Sequence, residues 1–496
     1  MKLTAWDRFT ATFAPRWTLE RVRARTAMTH LARHYEAAQP GRRTTGWNRT
    51  RGDANAVAGV ALAELRMHAR DLIRNNGWAQ SAQDVIANNS VGWGIVPRPS
   101  GANAERAGAL WKAWAESPQC ESGGMHTFYA LQSLVMAAVT SDGEVLIRRR
   151  PRRMADGLAI PLQLQVLEAD YIDTSKDGLV GQEKGPIIQG VEFDAIGRRT
   201  AYWLFKEHPG SLRSSGVSER VPAADVAHVF LARRPGQVRG PSWYGAAIVN
   251  LKDLDEYEDA ELVRQKIAAC FAAFVTDIDG TGPGLGEPST TDDLVETFEP
   301  GMILSLPPGK SVTTANPPTV VDSAFTTRNL RKVARSLGVT YEDLTGDYSQ
   351  VNFSSARMSR LAHWANVRKW QWHMLIPQLC QPVWTWAMEA AVTAGLLSAA
   401  PSADWTTPPM PMIEPDREGL AYQRLIRTGA MTPDEMVREQ GGDPAVHWQE
   451  YADNLQRFDK MGIVLDCDAR KVSSAGLTQE RFGGGSDSGK PPPASE

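Results

Sequence analysis

Four cysteines among 496 residues, Cys120, Cys270, Cys380 and Cys467, are too scattered to form a CxxC pair. Zinc ribbons and redox dithiols need close pairs, so neither is encoded, and buried, reduced thiols are the expectation. No GxxxxGK[ST] loop is present to cradle phosphates, which argues against a P-loop motor. A GxSxG elbow and an HExxH pair are also missing. The nine histidines do not pair at metal-ligand spacing. His363 and His373, ten residues apart on a tryptophan-rich stretch, are expected to be packed or surface groups. No catalytic residue, metal site or cofactor is assigned. No run of 18 apolar residues suggests a membrane span. Charges recur from Lys2 through Arg25 where a signal peptide would be apolar, so synthesis and assembly in a cytoplasm are expected. Charge of one sign is lacking as well. The net formal charge is -3, so any nucleic-acid contact must come from a local patch or from geometry.

What is present is a chain long enough for two or three packed units, 42% hydrophobic and 22% charged, as in ordinary folded proteins. Residues 1–55 form a basic arm, with eleven Lys or Arg against four acids. Helical spacing of Leu62, Leu65, Ala69, Leu72 and Ile73 predicts a helix over 56–90, interrupted at Asn75-Asn76-Gly77. Residues 91–98 read as a strand and 104–139 as helix. From 143 to 232 short strands take over, at 144–148, 162–167, 187–193, 201–205 and 227–230, separated by turn residues. Residues 242–275 read as one long helix. A glycine- and proline-rich stretch follows at 276–320, broken by a short strand at 302–306. A second helix is predicted at 322–337, capped by Asp322 or Ser323, and then a polar loop from Gly346 to Asn352. A helix over roughly 354–397 should be kinked or split by Pro377 and Pro382. A proline-rich linker at 401–415 leads to a helical unit at 416–463, and a Gly/Ser/Pro-rich tail begins near 473.

Carboxylates cluster at Asp253, Asp255, Glu256, Glu258, Asp259 and Glu261. Along one helix they point around the axis and cannot all converge on a metal, so a solvated or subunit-facing helix is the plainer reading.

Several collinear segments resemble the portal proteins of lambda-like tailed phages. They are Arg70-Asp71-Leu72-Ile73-Arg74-Asn75-Asn76-Gly77, Asp142-Gly143-Glu144-Val145-Leu146-Ile147, and Gln165 to Asp173. Val91-Gly92-Trp93-Gly94-Ile95, Gly190 to Asp194, Ala201 to Leu204, Arg234-Pro235-Gly236-Gln237-Val238-Arg239-Gly240-Pro241-Ser242-Trp243, Tyr341 to Tyr348 and Val351 to Arg357 complete the set, over roughly residues 20–465. The resemblance implies an α+β portal-type subunit with a helical stem hairpin, a β-rich wing portion, a small α/β clip and a helical crown, assembling as a ring, usually of twelve. On that plan 1–55 is the arm, 56–241 the wing, 242–275 and 322–345 the stem, and 276–321 the clip. Residues 346–357 form the tunnel loop, 358–400 a long wing helix, 401–470 the crown and 471–496 a disordered tail.

The resemblance also implies partners: the terminase large subunit, head-completion or adaptor proteins, capsid and scaffold proteins, and double-stranded DNA passing through without sequence recognition. Its location would be the virion, at one capsid vertex, after assembly in the host cytoplasm. Ser349, Gln350, Asn352, Ser354 and Arg357 are then candidates to face DNA. Asp253, Asp255, Glu256 and Asp259 are candidates to line a channel that repels the phosphate backbone. Two other readings stay open: a ring-forming head–tail adaptor without a conduit, and a metal-dependent nuclease using the 253–261 carboxylates.

Overall fold

The computed structural model describes residues 51–269, 273–277, 310–314 and 323–465, with isolated residues between 14 and 46 and near 470. The chain divides into two units, Met1–Val57 and Ala58–Glu496. The elements below all belong to the second.

Asn76 ends one helix and begins the next. Its extended backbone (φ -119, ψ 119) breaks α1, Leu62–Asn75, while its side-chain oxygen accepts from Ala79 N and opens α2, Gly77–Val91. Residues 91–98, expected to be a strand, instead make a turn first. Gly92 (φ +49) and Gly94 (φ +120) bracket Trp93, and the strand β1 begins later, at Val96–Ser100. The expected helix 104–139 is two helices, α3 at Ala104–Ala115 and α4 at Phe128–Asp142. Pro118 and Gly123-Gly124 break the pattern between them.

The β-rich portion holds two antiparallel sheets. One has β2 (Glu144–Pro151) between β3 (Leu162–Glu168) and β8 (Val226–Phe230). The other is a meander of β4 (Lys184–Ile188), β5 (Val191–Asp194), β6 (Arg199–Phe205) and β7 (Ser218–Pro222). The single strand expected at 187–193 is a hairpin, because Gln189 and Gly190 both take positive φ, the backbone that a tight two-residue turn requires. The sequence reading missed β7, whose Ser-Glu-Arg-Val-Pro has little apolar signal. Leu146, Tyr202, Leu204 and Val238 join the sheets through a small core.

The long helix expected to run to 275 ends earlier, as α5, Ile248–Ala269. Phe274, Val275 and Thr276, β-branched or aromatic, lie in β9, Ala273–Asp277, paired with β10, Lys310–Thr314. The strand expected at 302–306 and the cap Asp322 lie outside the described residues. The partner helix α6, Ser323–Leu337, is followed by α7, Tyr341–Thr345, and α8, Phe353–Trp370.

Pro377 does not split the chain after α8. Gln371–Cys380 widens into a π-helix, and α9, Gln381–Thr393, continues from it with Pro382 in its first turn, where a missing N–H costs nothing. Trp364, Trp370, Trp384 and Trp386 are buried along this column, in the main core with Trp111, Trp114 and Phe128. The expected linker at 401–415 starts as a strand, β11, Ser402–Thr406, which pairs with β1. Three helices close the described chain: α10 (Pro415–Arg427), α11 (Pro433–Glu439) and α12 (Pro444–Met461).

His363 is buried, within 3.0 Å of Asn89 Nδ2 and of Gly338 O, as a packed histidine should be. Cys120 and Cys380 are free and buried, and burial pushes the Cys120 thiol up to about 12. Cys270 and Cys467 lie outside the described residues. Among the described residues no helix is long and apolar enough to cross a membrane.

Candidate functional site

The acids of α5 do not act as one set. Leu251 and Leu254 fix the buried side of this helix, and Tyr257 stacks on Phe325 of α6 with ring centroids 4.6 Å apart. Lys332 of α6 also donates to Asn250 Oδ1 at 2.6 Å. That docking turns Asp253, Glu256 and Asp259 to the exposed side, three residues apart, so they span about 9 Å of helix axis. Asp255 departs from the expectation of a channel-lining group. It is half-buried and accepts from Asn76 Nδ2 at 2.5 Å, tying α5 to the α1–α2 junction. Glu256 faces Lys252 at 3.6 Å, an exposed pair worth little in water. Burial, aided by the neighbouring Asp255 and Asp259 charges, raises the Glu258 carboxyl above its usual range. The three exposed carboxylates form a row, and a row cannot wrap one cation.

The polar loop runs from Gly346 to Asn352, as expected, while the remainder of the 346–357 segment is helical, in α8. Gly346 (φ +68) ends α7 and its N–H reaches Glu342 O. Asp347 accepts from Ser349 N at 3.0 Å and Tyr341 Oη at 3.2 Å, and hydrogen bonds from these residues hold its carboxyl below the usual range. Asn352 is the N-cap of α8, its Oδ1 accepting from Ser355 N at 2.9 Å. Ser354 and Arg357 belong to the first turns of α8 rather than to the loop. That leaves Ser349 and Gln350 as the expected contact residues on an exposed tip, beside Tyr348.

Sequence reasoning missed a buried ionic node. Glu144 opens β2 with no solvent exposure. It accepts from Arg239 Nε at 2.8 Å, Gly240 N at 3.0 Å and His228 Nε2 at 2.9 Å. Arg239 spends its remaining donors on Gln189 O and Ala169 O. The segment around it folds on Gln237, whose Oε1 accepts from Arg233 N and whose Nε2 donates to Arg239 O. The chain can approach this closely only because Gly143 (φ +91) and Gly240 meet backbone to backbone: a Cβ on Gly143 would lie 2.2 Å from the Pro241 carbonyl carbon. The available signal was one carboxylate just ahead of the apolar run Val145-Leu146-Ile147, where a buried charge demands a partner.

A second node adjoins it. Arg70 bonds Asp142 at 2.5 and 2.9 Å and Asp170 at 2.8 Å, and Arg66 reaches Asp170 at 3.0 Å. Burial raises the Asp142 carboxyl despite Arg70. Asp170 is lowered, since Arg66 and Arg70 outweigh its burial. Glu168, Asp170 and His208 lie near enough to share a cation. The Arg70 guanidinium already holds both acids, so the donor set fits a metal poorly.

The first node titrates. Burial lowers the His228 pKa to about 4, against the pull of Glu144, and Nδ1 accepts from Arg199 Nη1 at 3.0 Å, as a neutral ring allows. Glu144 is penalised by burial, yet Arg239 and His228 outweigh it and hold it far below the usual range. Both groups therefore take up protons more readily in the unfolded chain. His228 withdraws stability as pH falls from about 6.5 to about 4, and Glu144 does so below about 4.5. Thermal midpoints should fall steadily between pH 7 and pH 4, by an amount on the order of 2–3 kcal/mol of stability from His228. His228→Gln should flatten the part of the fall above pH 4.5.

The model of the family described as phage portal protein, lambda family, matches residues 40–371. The chain belongs to that family. Among curated relatives, the probable portal protein of Halomonas phage phiHAP-1 is 26% identical over 87% of this chain and 88% of its own length. Portal protein B of Escherichia phage lambda is 23% identical over 83% of this chain and 87% of its own. A chain in the neck of a native GTA particle, computed with C12 symmetry, matches at 14% identity with a TM-score of 0.48, covering 79% of this chain and 99% of that one. The family match takes in both ionic nodes of this portal protein, the acidic row on α5 and the Ser349–Gln350 tip, and it ends at Gln371, where the π-helix begins.

Proposed function

We propose that this portal protein works as a passive conduit: a ring of about twelve subunits at one capsid vertex that passes duplex DNA during packaging and ejection. Membership of the portal family carries the reading. The terminase large subunit and head-completion proteins would dock on the segment between α5 and α6, with capsid and scaffold proteins meeting the wing, and the ATP-driven work would belong to the terminase.

Ring closure needs two different faces of one subunit to meet. The exposed row Asp253, Glu256 and Asp259 suits a lining that DNA slides past, since each Lys or Arg placed on a phosphate would release a counterion and add binding. Ser349 and Gln350 suit weak, sequence-blind contacts. An enzyme based on the α5 carboxylates is disfavoured by their arrangement in a row.

Electron microscopy of the purified full chain tests the proposal. Closed rings with a central hole wide enough for a duplex are expected. A chain that stays monomeric under every assembly condition would overturn it. Replacing Tyr348–Val351 by a Gly-Ser linker of equal length should leave ring formation intact and lower the amount of packaged DNA.

A further inference from the structure

A cleft of about 410 Å³ lies where β1, β11, α8, the π-helix and α11 meet. Arg98, Arg368 and Arg438 line it, and among the described residues none of the three has an ion-pair partner. Thr406 is only 8% exposed, and its Oγ1 is buried with no hydrogen-bond partner. The Nε of Arg98 is buried and unpartnered as well. Both atoms lie beneath the cleft surface, so the donor set that the cleft itself offers an oxyanion is the three guanidinium groups. Glu435 and Glu439 share the lining, but each has another contact, with Thr432 N and Tyr422 Oη respectively. Three arginines against two glutamates leave one positive charge in excess, which matches a singly charged anion. Trp372, half exposed, offers a flat face beside these donors.

We propose that this cleft binds one nucleotide unit of a single strand, its phosphodiester held by the arginines and its base stacked on Trp372. A guanidinium fork matches phosphate oxygens, and an indole stacks on any base, so the site would be blind to sequence. A duplex keeps its base faces stacked and cannot use Trp372. This proposal rests on the cleft alone and is independent of the conduit reading.

The test is fluorescence anisotropy of a labelled hexathymidylate with the full chain. Saturable binding is expected, competed by unlabelled hexathymidylate and more weakly by inorganic phosphate. Arg368→Gln and Arg438→Gln should each weaken it by about tenfold or more, and Trp372→Ala by about tenfold. Arg368 and Arg438 are exposed, so neither replacement opens the core, and an unchanged melting curve confirms the fold. No saturable binding, binding indifferent to Arg368→Gln, or equal competition by a hexaglutamate peptide would overturn the proposal. The last result would assign the cleft to acidic peptides.

Discussion

Glu144→Gln is expected to destabilise the fold by about 3–5 kcal/mol, because it strands a buried guanidinium without its counter-charge. Arg239 is 2% exposed, and its other contacts are two backbone carbonyls, which cannot neutralise it. Chemical denaturation of the purified chain measures the loss. The double variant Glu144→Gln with Arg239→Met should be milder than the sum of the two singles, since each partner is costly mainly when the other remains. Additive effects would mean that the two side chains do not act as a unit. A loss below about 1 kcal/mol for the single variant would mean that water reaches the node.

The second large effect concerns the acidic row. Asp253→Lys, Glu256→Lys and Asp259→Lys together should turn a surface that DNA slides past into one that holds it. Each phosphate that a new lysine contacts should steepen the dependence of log affinity on log salt by about 0.9, and a ring repeats the change in every subunit. Two measurements check this: retention of linear duplex by purified rings across a salt series, and the length of DNA in assembled particles. Retention that rises at low salt while packaged length collapses is the expected pair of results. Unchanged packaging would remove the row from the channel. Asp255→Asn belongs outside this set, because its partner is Asn76 of the same subunit, and it should alter stability rather than DNA passage.

Much of the fold could be read from local chemistry. The Asn76 break, the strand-rich middle and the helix pair around residues 248–269 and 323–337 follow from capping, alternation and helical spacing, which act within a few residues. The errors arose where distant residues decide. β11 is a strand because β1 lies beside it, although its own sequence reads as a linker. Pro377 breaks nothing because the neighbouring turns widen around it. The candidate sites show the same division. Exposure of Asp253, Glu256 and Asp259 follows from their spacing, whereas the inward turn of Asp255 depends on an asparagine 179 residues away. The Asn352 cap was legible, since Asn followed three residues later by Ser is a local pattern. The Glu144–Arg239 pair was not, although both segments stood out, because nothing local says which charge a buried carboxylate will meet.

That pair also closes a topological loop. Strands β3 and β8 flank the same strand, β2, so the chain leaves the central sheet after Glu168 and returns to it at Val226 only one strand away. Everything between, the whole β4–β7 meander, is an excursion whose two ends lie on either side of β2. The entropic cost of such a loop grows only slowly with its length. The excursion can therefore lengthen, shrink or accept an inserted module while the sheet beneath keeps its register. Among lambda-family portals, length variation should concentrate between the positions of Glu168 and Val226, and a tag or binding module placed in the exposed turn at Leu212–Arg213 should leave the central sheet intact.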